Sequence, residues 1–188
     1  MKGDRVTDIV NMSELEQKKI FLVLATPAHI RERNIELIRE ISASGYHTVV
    51  ITTNFPYSIL QKLYAEGGID LSTVSFVDAV TRNSVGSAEN IPGVVRYINN
   101  PANLTDLGIA VTEVLKEHSG KKVCILYDSV STMLIYLSSQ NISKFIHFVT
   151  NKLRIMDISG VFLAVEKGLD PMLMSQLTTF VDTVIDTG

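Results

Sequence analysis

Short unbroken apolar runs recur along this chain, and stretches with helical spacing lie between them. Ile20-Phe21-Leu22-Val23-Leu24 is the first run and Thr48-Val49-Val50-Ile51-Thr52 the second. Val74–Val77, Val123–Tyr127, Val161–Val165 and Val181–Ile185 continue the series, with Val94–Ile98 as a candidate short strand. A strand that is apolar at every position has to be covered on both faces. Helical spacing predicts helices over about 30–44, 56–64, 104–118, 132–137, 142–156 and 171–177. In the first of these Ile30, Leu37, Ile38 and Ile41 share one face; in the second Ile59, Leu60 and Leu63 point inward. Leu107, Val111, Val114 and Leu115 line the third, and Phe145, Ile146, Val149 and Leu153 make a stripe in the fifth. Strands alternating with helices imply an α/β fold, a mostly parallel central sheet with helices on both faces.

The length, 188 residues, suits a single domain over 19–188 behind a polar lead-in over 1–18. Hydrophobic residues make up 46% of the chain, enough for a core on each side of a sheet. No apolar run approaches the roughly 20 residues of a bilayer span. The start, Met1-Lys2-Gly3-Asp4-Arg5, mixes both charge signs and lacks the apolar centre of an export signal. A net charge of −3 weighs against a sequence-independent nucleic-acid binder, which needs a basic footprint. The single cysteine, Cys124, sits in an apolar run and reads as a small buried hydrophobe. The expected location is therefore cytoplasmic. His29, His47, His118 and His147 are scattered without ligand spacing, which argues against a histidine zinc site.

In an open α/β sheet, ligands bind beyond the carboxyl ends of the strands. The residues that follow the strands are Ala25-Thr26-Pro27-Ala28, Thr53-Asn54, Asp78, Asp128-Ser129 and Glu166-Lys167. Val123-Cys124-Ile125-Leu126-Tyr127-Asp128-Ser129 is similar to a Walker B strand with its terminal aspartate. Thr52-Thr53-Asn54-Phe55-Pro56-Tyr57 is similar to a second-strand turn with its proline. Gly68-Ile69-Asp70-Leu71 and Phe180-Val181-Asp182-Thr183-Val184-Ile185 complete the set. In this order the segments resemble the RecA-like ATPases, specifically their KaiC-like branch, over about Ile20 to Thr187. The resemblance implies a RecA-like P-loop NTPase-type fold.

The departure from that family is concentrated at one bend. Active members carry Gly-x-Pro-Gly-x-Gly-Lys-Thr between the first strand and helix; here the stretch is Ala25-Thr26-Pro27-Ala28-His29-Ile30-Arg31-Glu32. Glycines let a P-loop wrap so that successive amides face phosphate. Alanine and isoleucine fill that path with side chains and disfavour positive φ. Arg31 keeps a charge where the lysine stood, but its planar fork differs from a compact ammonium. Glu32 replaces the magnesium-binding hydroxyl. At an effective dielectric of 20, a carboxylate about 4 Å from a phosphate oxygen costs about 4 kcal/mol. The catalytic glutamate of the family is also missing, because Thr53 and Asn54 stand in the second turn.

These substitutions lead us to expect a domain without ATPase activity or cofactor, regulatory or scaffolding in role. Its partners would be further copies of itself, an intact paralogue or another protein. The vestigial nucleotide-site positions are Ala25, Thr26, Pro27, Ala28, Arg31, Glu32 and Asp128. Asp128 is expected to hydrogen-bond Ser129, Ser131 or Thr132 at the start of the next helix. The alternative is a non-canonical nucleotide or small-anion site in the same crevice, drawing on Arg31 and Arg33 near a helix start with Thr26, Thr53 and Asp128. No Gly-x-Gly-x-x-Gly or Gly-x-Ser-x-Gly is present. Asp78, Asp128 and Lys167 lack the acidic pair after the first strand that a phosphoacceptor domain needs. The polar loop 82–93 and the mixed-charge face Arg31, Glu32, Arg33, Glu36, Arg39 and Glu40 are the surface candidates for contacts. Phe145 and Phe148 read as core, and Met172 and Met174 as helix-face packing.

Overall fold

The computed structural model describes residues 8–188, so Met1–Arg5 lie outside the described residues. Seven strands form one sheet: β1 (Ile20–Ala25), β2 (His47–Thr52), β3 (Val74–Asp78), β4 (Val95–Tyr97), β5 (Val123–Asp128), β6 (Ser159–Val165) and β7 (Thr183–Asp186). Their order across the sheet is β4-β3-β2-β5-β6-β1-β7, and every pairing is parallel. The helices are α1 (Met12–Glu16), α2 (Ile30–Ala43), α3 (Tyr57–Glu66), α4 (Thr81–Val85), α5 (Leu104–Glu117), α6 (Val130–Met133), α7 (Ser139–Met156) and α8 (Pro171–Phe180).

The pleat divides each strand between two cores. Phe21 and Val23 of β1, Val50 of β2, Leu126 of β5 and Leu163 of β6 pack with α1, α2 and α3 through Leu15, Leu37, Ile41 and Tyr64. The alternate residues, among them Leu22, Ile51, Ile125 and Phe162, pack with α5, α7 and α8 through Val111, Val149 and Leu173. This two-sided burial is why the strand sequences carry no polar alternation. Gly45 ends α2 with φ of +77°, a conformation that favours glycine.

Several local expectations change. Ile59 is 42% exposed, and Tyr64, one turn past Leu60, takes the inward place. The helix expected over 132–137 is the short turn Val130–Met133, and α4 occupies Thr81–Val85 at the start of the polar loop. Met172 is exposed, whereas Met174 packs on the core. Phe148 is also exposed, although its ring edge lies against Gly108 of α5. Within the lead-in, Val10 and Leu15 are fully buried. The Glu40 carboxylate accepts the Ile9 and Val10 amides at 2.9 and 3.1 Å.

Two of the resemblance motifs have structural duties. Asp70 accepts the Ser72 amide at 2.9 Å and caps the 3₁₀ turn Leu71–Thr73. Asp182 accepts the first amide of β1, from Ile20, at 2.8 Å, and Arg154 donates to both its oxygens. At the amino-terminal edge of the sheet, the sequence-distant His47 and His118 stack with ring centroids 3.9 Å apart. The Nε2 of each lies 2.9 Å from the Ser75 hydroxyl, which donates to the Gly93 carbonyl at 2.8 Å. Since that hydroxyl has one proton, both imidazoles donate to it as Nε2–H tautomers.

Candidate functional site

The order of strands reverses around β1, β6, β5 and β2, so the crevice of interest lies beyond their carboxyl ends. Thr26, Pro27, Ala28 and His29 join β1 to α2. The Thr26 carbonyl accepts the His29 amide at 3.0 Å and the Ile30 amide at 3.1 Å. The Thr26 hydroxyl lies 2.9 Å from His29 Nδ1, and the His29 carbonyl accepts the Arg33 amide at 2.9 Å. The turn therefore closes on its own carbonyl. Two amides that a helix start offers to an anion are bonded within it. Pro27, Ala28, Arg31 and Glu32 are exposed, and the Arg31 guanidinium sits 5.1 Å from the Phe55 ring centroid. With Ile35, Glu36 and Arg39 these residues border an open cavity of about 530 Å³.

Asp128, at the end of β5, is only 1% exposed. Its partners are Asn34 of α2, donating from Nδ2 to Oδ2 at 2.9 Å, and Asn54, donating from Nδ2 to Oδ1 at 3.2 Å. Asn34 Oδ1 in turn accepts the Tyr64 hydroxyl at 2.7 Å. These bonds replace those expected to Ser129, Ser131 and Thr132. The helix after β5 is instead capped by Ser129, whose side chain accepts the Thr132 amide at 3.3 Å. Burial pushes the Asp128 carboxyl up to about 6, with the two amide donors pulling the other way.

Neighbouring polar groups are equally occupied. The Thr53 hydroxyl lies 3.0 Å from both the Ser129 carbonyl and the Thr132 hydroxyl, and its amide donates to the Asp128 carbonyl at 2.8 Å. Asp78, fully buried at the end of β3, accepts the amides of Tyr57, Val80 and Thr81 at 2.7, 2.7 and 2.8 Å. It thereby ties α3 and α4 to the sheet. Both strand-terminal aspartates accept hydrogen bonds from neighbouring segments of the fold. Glu166 and Lys167 lie exposed in the loop after β6.

Of the mixed-charge face, Arg33 pairs with Glu36, Arg39 donates to the Gly67 carbonyl at 3.2 Å, and Glu40 holds the lead-in. Arg31 and Glu32 remain toward solvent. The loop 82–93 is organised by Arg82, which donates to the carbonyls of Ala88 and Tyr97 and to the side chains of Asn90 and Asn99. Asn34 and Tyr64 were not singled out from the sequence. The signal for Asn34 was its position in register with Leu37, Ile38 and Ile41, a polar residue on the buried face of α2. Among the described residues, no group of three or more His, Cys, Asp or Glu could hold a metal ion, and no helix is long and apolar enough to cross a membrane.

The fold as a whole is similar to solved structures at low sequence identity. An uncharacterized protein, PH0321 from Pyrococcus horikoshii, solved in complex with an unknown peptide, aligns with a TM-score of 0.63 at 15% identity. The alignment covers 94% of this chain and 82% of that one. The KaiC-like protein PH0186 from Pyrococcus horikoshii OT3 aligns with a TM-score of 0.62 at 13% identity, over 90% of this chain and 71% of that one. The class is thus an α/β domain with the RecA/KaiC-like fold. Within that class the chain belongs to a family of unknown function, DUF7504, whose model matches residues 19–187. No curated protein matches it.

Proposed function

We propose that this chain is a RecA/KaiC-like domain that has lost ATP hydrolysis and acts as a regulatory or scaffolding protein, through contacts with further copies of itself, an intact relative or another protein. The observation that carries the reading is the closed turn between β1 and α2. His29 and Ile30 give their amides to the Thr26 carbonyl, where a P-loop would turn amides toward phosphate. Ala28 and Glu32 stand where the family has glycine and a hydroxyl. The enclosure of Asp128 by Asn34 and Asn54 supports the same reading, since a magnesium-holding carboxylate must reach its hydrated ion. The peptide held by PH0321 belongs to that protein, and it lends weight to a protein partner here.

Calorimetric titration with ATP and magnesium, alongside a phosphate-release assay, tests this reading. The expected outcome is neither saturable heat nor turnover. Micromolar binding or measurable hydrolysis would overturn it.

A further inference from the structure

Helices α5 and α7 both return from the carboxyl to the amino edge of the sheet, so they lie side by side on one face. Gly108 of α5 lets them approach closely. A Cβ there would stand 3.3 Å from Phe148 Cε1. Beside this contact lies an open cavity of about 650 Å³, with Gly108 and Phe145 among its lining residues. Ile109 is 52% exposed on one wall and Phe148 48% on the other. Further along α7, past Asn151 and Lys152, Ile155 is 86% exposed, two helical turns beyond Phe148. Large side chains aligned in this way are not the scattered apolar exposure of an ordinary surface.

The charges around the groove have one sign left over. Lys116 and Lys144 line it, and Lys152 lies over the Phe148 ring, 5.6 Å from the centroid. None of the three makes an ion pair among the described residues. Glu113, the carboxylate of the cavity wall, pairs with Arg96, which also holds Glu117, so three lysines stand against two carboxylates sharing one arginine. The backbone of both helices is bonded internally, so an occupant must be read by side chains rather than by strand addition. A trough between two helices accepts a third by ridges into grooves.

We infer that the groove between α5 and α7 docks an acidic amphipathic helix of a partner protein, an inference that rests on reading the chain as a protein-binding domain. The apolar side chains of that helix lie between Ile109 and Phe148, and its flanking Asp and Glu residues meet Lys116, Lys144 and Lys152. The floor is apolar and concave, unlike the continuous basic surface that a nucleic acid requires.

The test is panning of a phage-displayed library of amphipathic helical peptides on the full chain, followed by anisotropy measurements with the enriched peptide. Enrichment of leucine or aromatic residues at i, i+4 and i+7 with acidic flanks is expected. Phe148→Ser and the double change Lys144→Glu with Lys152→Glu should each weaken binding by about tenfold or more, at a temperature where thermal unfolding shows both variants still fully folded. High salt should weaken wild-type binding and leave the charge-reversed variant little changed. No enrichment, enrichment without acidic bias, or binding indifferent to both variants would overturn the inference. So would a dimer of this chain that Phe148→Ser dissolves, or displacement of the peptide by DNA. ATP turnover in the same preparation separates the two readings. Turnover with intact groove binding refutes only the loss of ATPase activity, and absence of both refutes only the docking.

Discussion

Replacing Asp128 with asparagine should change how stability depends on pH, in a direction fixed by its surroundings. Burial raises its carboxyl from 3.8 to about 6. The shift of about two pH units corresponds to about 3 kcal/mol at 1.36 kcal/mol per unit. The folded protein holds this proton more tightly than the unfolded chain. The associated stability is therefore complete below about pH 3.8 and lost as pH rises through about 6. Asparagine cannot ionise, so the variant lacks this loss. It also presents an amide to one of the two donors, Asn34 or Asn54, a mismatch of about 1–2 kcal/mol at every pH. Relative to wild type, Asp128→Asn should be about 1–2 kcal/mol more stable at pH 7.5 and less stable by a similar amount near pH 4. Paired urea denaturation across this range measures the difference, in which groups common to both chains cancel. A relative stability that stays flat within about 1 kcal/mol, or that rises toward acid, would refute the account.

Asn34→Leu should destabilise by about 3 kcal/mol in urea denaturation, since it orphans the Tyr64 hydroxyl and removes a donor from Asp128; a loss below about 1 kcal/mol would argue against the network. Asp182→Ala should cost about 2 kcal/mol in the same assay, because the Ile20 amide loses a charged acceptor and Arg154 its partner. His47, held down to about 4 by burial and by the facing His118 and Lys121, should stay uncharged in NMR titration until the pH falls well below 6.5. Its contribution to stability is present above about pH 6.5 and is lost as pH falls through about 4, and a measured value of 6 or higher would refute the packing described.

The sheet was legible because two-sided burial leaves a sequence mark. Runs such as Ile20–Leu24 and Val123–Tyr127 have no polar alternation, and the helices between them carry stripes that match their buried faces. What was not legible depends on contacts between distant segments. Asp128 was expected to bond locally, but one of its partners arrives on α2, which lies beside β5 because the connection from β1 to β2 crosses β6 and β5. Phe148 reads as core from spacing alone, since helical periodicity gives a direction but not whether a neighbour covers it. Scattered histidines became a stacked pair for the same reason: β2 and the end of α5 meet only in the folded sheet.

Ser75 between two imidazoles has the outward look of a hydrolase nucleophile beside its base. Proton bookkeeping says otherwise. The hydroxyl proton is given to the Gly93 carbonyl, so with both rings donating to the oxygen neither is placed as the acceptor that a nucleophile's base must be. The trio works as a rivet joining β2, β3 and the tail of α5.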